Sequence, residues 1–162
     1  MGAPMDDTAQ TLTDQLHLTV DYGQSLEVMT TAGHYDWTNG DITVQRYPME
    51  GASTVQVDAK LFQFDRNISS ENVVEAIKTA DPENPWVPAA IEHLLAFGAS
   101  GPDEQRRYAI VALGSVAEIH GERFVPYLDV DDRSRLLNLY WWDDVWNGVV
   151  RFLAVRGLSS GA

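Results

Sequence analysis

The amino-acid sequence predicts an α+β fold in which a β-rich N-terminal part precedes two helices and a C-terminal set of short strands. Apolar and polar residues alternate in the first third, whereas apolar residues recur with helical spacing in the middle. Short apolar runs separated by turn residues return in the last third. Strands and helices that occupy separate stretches of a chain are typical of α+β proteins, and we expect the C-terminal strands to form a small antiparallel sheet.

The first third begins with one strand pattern and one short helix pattern. Leu18 and Val20 alternate with polar residues, so residues 16–20 predict a strand with one apolar face. Ser25 is suited to cap a short helix, and Gly33 is suited to end it.

A turn and two further strands are expected before residue 67. The dipeptide Asn39-Gly40 is a turn signal and precedes a strand pattern over residues 42–46. Residues 54–64 alternate over most of their length and predict a longer strand. Its apolar face would carry Val55, Val57, Ala59 and Leu61.

The pattern changes to helical spacing after Asn67. Ser69 or Ser70 can cap a helix whose inward stripe is Val73, Val74 and Ile77. Residues 81–88 contain three prolines, which disfavour helix and predict an extended connector. A second helix is expected over residues 89–97, with Gly98 at its end.

The last third predicts a short helical turn after Gly101-Pro102 and then four strands. A turn at Gly121 separates the first two strands, and a charged turn over residues 129–134 separates the next two. The strands are expected over residues 108–113, 123–128, 135–141 and 149–155.

The 162 residues fit one domain with its own core. Residues 1–14 are polar and are expected to be frayed, and residues 157–162 are expected to form a C-terminal tail. The single α+β domain would then span residues 15–156. It divides into a β-rich N-terminal part, residues 15–66, and a second part, residues 67–156.

Charge and composition exclude several classes of function. The chain has 24 acidic and 11 basic residues, a net charge of −13, and its densest basic spot is only Arg106-Arg107. A phosphate-binding surface needs clustered cations, so we expect no nucleic-acid partner. The sequence contains neither a membrane-spanning apolar run nor a signal peptide pattern, which leaves the localisation open. The absence of cysteine excludes disulfides and thiolate chemistry.

No motif for catalysis or for a cofactor is present. The four histidines are isolated, and the Asp129-Val-Asp-Asp132 run lacks the glycine and glutamate of a calcium loop. Gly114-Ser115 lacks the frame of a serine nucleophile, and glycine-rich phosphate loops do not occur. We therefore expect neither a metal site, a cofactor nor enzymatic activity.

The most informative segment is the aromatic cluster near the C-terminus. Trp141, Trp142 and Trp146 are interleaved with Asp143, Asp144 and Asn147. Carboxylates would be costly in a core, whereas flat aromatic area beside polar groups is typical of recognition surfaces. One alternative is a carbohydrate-active enzyme that uses Asp143 or Asp144 as its acids. Another is an assembly subunit in which the tryptophans lie in an interface between copies.

Several motifs resemble the C-terminal C-type-lectin-like domain of variable proteins that are diversified by diversity-generating retroelements. The resemblance is strongest to small examples from archaea, their viruses and candidate bacterial lineages, and it covers residues 68–156. The motifs that carry it are Ala89-Ala-Ile-Glu-His-Leu-Leu-Ala-Phe-Gly98, Tyr108-Ala-Ile-Val-Ala-Leu-Gly-Ser115, Arg123-Phe-Val-Pro-Tyr-Leu128, Leu137-Asn-Leu-Tyr-Trp-Trp142 and Arg151-Phe-Leu-Ala-Val-Arg156.

The resemblance implies a hypervariable surface. In that family adenine mutagenesis turns Asn codons into NNY codons, which cannot encode Trp, Met, Lys, Glu or Gln. Residues 129–150 contain no Met, Lys, Glu or Gln, and the tryptophans would be a constant framework. The sugar-binding triplets of C-type lectins are missing, so calcium-dependent sugar binding is not expected. The related oxidases that share the fold need cysteines, and this chain has none.

The resemblance and the aromatic cluster together predict non-catalytic binding of a protein ligand. Leu137, Leu139 and Trp141 are expected on the opposite strand face from Asn138, Tyr140 and Trp142, and Trp141 is expected to be buried. The predicted ligand-binding residues are Asn138, Tyr140, Trp142, Asp143, Asp144, Val145, Trp146, Asn147, Gly148, Val149 and Val150.

Overall fold

The computed structural model describes residues 10–11, 16–49, 51 and 53–157. The predicted frayed N-terminus, apart from residues 10–11, and residues 158–162 of the predicted tail lie outside these ranges. The described helices are α1 (Leu26–Ala32), α2 (Ser70–Thr79) and α3 (Ile91–Ser100), with a 3₁₀ turn at Glu104–Arg106. The described strands are β1 (Gln10–Thr11), β2 (Leu16–Asp21), β3 (Trp37–Thr38), β4 (Thr54–Gln63), β5 (Ile68–Ser69), β6 (Val87–Pro88), β7 (Ile110–Val111), β8 (Ala117–Ile119), β9 (Glu122–Asp131), β10 (Ser134–Trp141), β11 (Val145–Trp146) and β12 (Arg151–Gly157).

The chain is an α+β protein, as predicted, but its main sheet is large rather than small. Ten described strands join it, in the order β1-β4-β12-β7-β9-β10-β3, with β2 beside β4, β6 beside β12 and β8 beside β9. The expectation of a small C-terminal sheet is wrong because β4 of the N-terminal part pairs antiparallel with β12. Periodicity shows which residues share a face, but it does not show which strand lies alongside.

The sheet has an apolar core on each face. Leu61 and Phe62 are neighbours on β4, and a strand directs successive side chains to opposite faces. Leu61 joins a core cluster with residues of α1 and α3, such as Leu94. Phe62 joins a second cluster with residues of α2, such as Ile77, and with Trp146. The C-terminal aromatic segment therefore packs on the same face of the sheet as α2.

The helix caps follow the sequence with one exception. Ser25 Oγ accepts from Val28 N (3.1 Å) at α1, and Ser69 Oγ accepts from Asn72 N (3.2 Å) at α2. The predicted end of α3 at Gly98 is wrong, since the helix continues to Ser100. Gly98 has a packing role instead, because a Cβ there would overlap the hydroxyl oxygen of Tyr35.

Several other predictions also differ from the structure. The strand predicted over residues 42–46 does not form; residues 44–46 are a turn, and Tyr47 N donates to Thr43 O (2.8 Å). The strand predicted over residues 108–113 shortens to Ile110–Val111. The charged turn shrinks to two residues, because β9 runs to Asp131 and Asp132 adopts the left-handed conformation that tight hairpins need (φ 61°). The last strand begins at Arg151 and not at residue 149. None of the helices in the described ranges has the length and apolar character that a bilayer crossing requires.

Candidate recognition surface

The C-terminal aromatic segment is positioned by the N-terminus of α2. After β10 the chain turns, forms β11, turns again and enters β12; we call residues 142–150 the display segment. Strand β11 pairs with β5, the two residues that lead directly into α2. Ser70 begins α2 and is fully buried. Its hydroxyl donates to the Trp142 carbonyl (2.8 Å) and accepts from the Trp146 indole nitrogen (2.8 Å), so one side chain holds both ends of the first turn.

Trp146, which the sequence placed among the ligand-binding residues, is a core residue. It is only 4% exposed. Its ring lies 5.1 Å from the ring of Tyr140 and 5.7 Å from that of Phe152. Val150 is buried in the same cluster, so its predicted place on an exposed patch is wrong. Trp146 lies in β11, which pairs with β5, and Val150 directly precedes β12. Because side chains alternate in direction along a strand, Trp146 points inward while its neighbour Val145 is exposed.

Trp142 is half-buried and held by polar contacts. Its indole nitrogen donates to Glu71 Oε2 (2.9 Å), and the Arg123 guanidinium lies 5.6 Å from its ring centre. Asp143 forms an ion pair with the same Arg123, and this hydrogen bond raises the pKa of the guanidinium. Glu71 is 3.9 Å from Arg123. Trp142 therefore has a defined orientation beside an exposed charged cluster.

The prediction that Trp141 is buried is wrong. Trp141 is 46% exposed, and its ring lies 6.1 Å from that of Phe124. The predicted alternation along β10 holds, since Leu137 and Leu139 pack with the first core cluster and Tyr140 and Trp142 with the second. Burial on this face decreases from Leu137 towards the end of the strand. Trp141 therefore lies on the predicted face but is exposed.

Four predicted residues of the display segment project to solvent, namely Asp143, Val145, Asn147 and Val149. Val145 and Val149 are 56% and 67% exposed. Asn147 Oδ1 accepts from Val149 N (3.1 Å), and Asp144 Oδ1 accepts from Val145 N (2.8 Å), so both turns are internally braced. Gly148 is half-buried, and a Cβ there would lie 3.1 Å from the Phe64 carbonyl oxygen. Gly148 is therefore a packing position.

The half-buried predicted residues on β10 form a polar network with their neighbours. Asn138 Oδ1 accepts from Asn39 Nδ2 (2.9 Å) and from Leu139 N (2.8 Å). The pKa of Tyr140 is raised, mainly by its hydrogen bond with Asp144. Burial, followed by the charge of Asp129, raises the pKa of Tyr127, whose ring lies 5.7 Å from that of Tyr140. Both tyrosines therefore stay protonated and can act as hydrogen-bond donors.

A groove of about 400 Å³ opens beside the display segment, a volume within the usual range of ligand pockets. Six of the predicted ligand-binding residues line the groove, namely Tyr140 and five residues between positions 145 and 150. Sequence reasoning missed the remainder, which comprises Gln105, Arg106, Arg107, Tyr108, Ala109, Tyr127, Asp129 and Val130. The Arg106-Arg107 pair was a visible signal. The position of Tyr127 beside Tyr140 follows only from the β9–β10 pairing.

Metal binding and acid–base chemistry both depend on how the acidic side chains of a surface are grouped. No group of three or more His, Asp or Glu side chains within the described ranges is arranged to hold a metal ion. Asp143 faces Arg123, whereas Asp144 lies beside Tyr140, so the two carboxylates have separate partners.

Comparison of the chain with protein-family models, curated proteins and solved structures finds no match in any of the three.

Proposed function

We propose that the chain is a non-catalytic binding protein that recognises a protein ligand through its display segment and the adjoining groove. The observation that carries the proposal is the alternation of anchored and exposed side chains in this segment. Ser70 and Glu71 hold Trp142 and Trp146 through hydrogen bonds. The side chains between and after the tryptophans, Asp143, Val145, Asn147 and Val149, face solvent.

This arrangement suits recognition because the exposed side chains can change without altering the core. Substitutions at solvent-facing sites usually leave stability within about 0.5 kcal/mol, whereas core changes are felt strongly. The adjoining groove adds tyrosine and arginine, residue types that are enriched in protein interfaces. Protein ligands are favoured because the exposed Val145 and Val149 present apolar contact area beside hydrogen-bonding groups.

The same proposal includes a C-type-lectin-like architecture and diversification by a retroelement. The four exposed residues are all encodable by NNY codons, and the anchored Trp142 and Trp146 are not. A diversified protein needs this division between a constant framework and variable exposed positions. The resemblance over residues 68–156 supplies the family, and the placement of the side chains is consistent with it.

A displayed library tests the proposal. NNY codons would be introduced at Asp143, Val145, Asn147 and Val149, and folded members would be counted by resistance to protease. We expect most members to fold, and sorting against a panel of purified proteins should yield binders with different residues at these positions. A matched library at two buried residues, Trp146 and Val150, should yield few folded members. Equal folded fractions in the two libraries would contradict the proposal.

A genomic observation tests the diversification part separately. The DNA near the gene should contain a near-copy of the segment that encodes residues 129–150, differing at adenines, beside a reverse transcriptase gene. If the library folds and yields binders but no such copy exists, the binding function stands and the retroelement origin does not.

A further inference from the structure

The groove has two walls of different origin. One wall consists of residues 145–150 of the display segment, and the other consists of residues 105–109, after the start of the 3₁₀ turn. Residues 105–109 lie outside residues 129–150. Apart from its tryptophans, the stretch 129–150 contains only amino acids that NNY codons can encode, whereas Gln105 is not one of these. Under the diversification proposed above, the wall of residues 105–109 stays constant while the display segment varies. It can therefore recognise only a feature that successive ligands share.

The charge of the groove differs from that of the chain. Its charged lining residues are Arg106, Arg107 and Asp129, in a chain with 24 acidic and 11 basic residues. Arg106 is already engaged by Asp103 (3.5 Å) and by the carbonyl of Arg133 (2.8 Å). Arg107 is exposed and forms no ion pair with any residue that the structure describes. Its guanidinium is therefore available to an anionic group of a ligand.

The constant wall is held in place before any ligand arrives. The Tyr108 hydroxyl donates to Glu104 Oε1 (2.9 Å), and the Arg151 guanidinium stacks 4.5 Å from the Tyr108 ring centre. Arg151 Nη1 also donates to the Val149 carbonyl (3.0 Å), which links this wall to the display segment. A preorganised wall loses little conformational entropy on binding.

The opposite wall is mainly apolar, with Asn147 as its polar residue. Val145 and Val149 are more than half exposed, and the buried Trp146 and Val150 lie beside them in the lining. An apolar ligand side chain that enters the groove would cover this surface, which is otherwise in contact with water. Asp129 lies near Tyr127, where its charge disfavours an acidic ligand group, whereas the cationic lining residues are Arg106 and Arg107.

We propose that the groove takes a protein segment in which an acidic side chain neighbours a bulky apolar side chain. The ligand carboxylate binds the Arg107 guanidinium, and the apolar side chain packs against Val145 and Val149. This inference rests on the binding function proposed above and names the chemistry of the partner. Arg107 supplies the constant part of recognition, and the display segment supplies the variable part.

A displayed library of random peptides, selected against the full chain, tests the inference. We expect the selected peptides to contain Asp or Glu beside Leu, Ile or Phe. They should bind Arg107→Gln at least about tenfold more weakly, as expected for loss of a hydrogen bond to a charged group. Lys78→Gln is the matched control, because Lys78 is an exposed cation on α2 that does not line the groove. Both variants should melt at the temperature of the unaltered chain.

The outcomes separate this inference from the proposed function. If the selected peptides lack acidic residues, or bind Arg107→Gln as tightly as the unaltered chain, the inference is wrong. If those selected peptides nevertheless bind the Val149→Asp variant more weakly than the unaltered chain, the proposed binding function stands although this inference fails. If no peptide is selected, and an oligosaccharide array binds instead, both the inference and the protein-binding function fail.

Discussion

Arg135 Nη1 donates a 2.6 Å hydrogen bond to the carbonyl of Gly33, which lies 102 positions earlier in the chain. The same buried guanidinium donates to the carbonyls of Gly98 and Pro102 and to the side-chain oxygen of Gln105. It therefore caps the C-terminal ends of α1 and α3 from the start of β10, the strand beside β3 at one end of the sheet. A cation at a helix C-terminus is favourable because unpaired carbonyls concentrate negative potential there.

Replacing Arg135 by Met is expected to destabilise the fold by about 3 kcal/mol or more, since several buried carbonyls would lose their donors at once. Urea unfolding followed by circular dichroism measures the loss. Arg135→Lys should recover only part of it, because an ammonium cannot reproduce the planar set of donors. If the Arg135→Met and Arg135→Lys variants both unfold with the free energy of the unaltered chain, the capping role is wrong.

The tryptophans of the aromatic cluster should differ sharply in their effect on stability. Trp146→Ala should cost about 3–5 kcal/mol, because it leaves a cavity in the second core cluster. Trp141→Ala should cost about 1 kcal/mol or less, because half of its side chain is already exposed. The midpoints of thermal unfolding compare them directly, and a larger loss for Trp141 would contradict the burial described above.

His93 should make stability sensitive to mild acid. Burial lowers the pKa of His93 from 6.5 to about 4, and its Nδ1 accepts from Ala90 N (2.9 Å) at the start of α3. Between pH 6.5 and 4 the unfolded chain binds a proton at this position and the folded chain does not. Stability therefore falls as the pH falls through this window, by about 3 kcal/mol for this group.

The matched variant for this prediction is His93→Gln. A glutamine at this helix position can still accept from the capping backbone N–H, but it does not titrate. Chemical unfolding at pH 7 and at pH 5 should show a smaller loss for the variant than for the unaltered chain. Identical losses would mean that carboxylates, and not His93, set the acid sensitivity.

Tyr35 and Gly98 should be energetically coupled. The Tyr35 hydroxyl is buried without a hydrogen-bond partner among the described residues, and burial raises its pKa to about 12. Tyr35→Phe should therefore be neutral or stabilising by up to about 1 kcal/mol. Gly98→Ala should destabilise, because its Cβ would overlap that hydroxyl oxygen, although it would lie 3.2 Å from the ring carbon that carries the hydroxyl.

The double variant tests the coupling. Gly98→Ala should be tolerated better in the Tyr35→Phe background, and a double-mutant cycle gives the interaction energy. Additive effects would show that the hydroxyl does not limit the space at Gly98.

Much of the local structure was predictable from the sequence. The caps at Ser25 and Ser69, the positions of β2 and β4 and the alternation along β10 were predicted correctly. The predicted apolar face of β4 was correct only in part, because Val55 is 40% exposed. Each correct prediction depends on residues within a few positions of one another, so the signal is present in the sequence itself. The aromatic cluster was also located correctly as a segment with exposed polar residues.

Tertiary structure alone decided which strands became neighbours and how deeply each side chain is buried. The pairing of β4 with β12 made one large sheet, and the contact of Ser70 with Trp146 placed that tryptophan inside while Trp141 remained outside. The groove and the position of Arg135 likewise join residues far apart in the chain. Periodicity specifies the face on which a residue lies, whereas burial depends on what covers that face, and the cover comes from distant segments that pack together only in the folded chain.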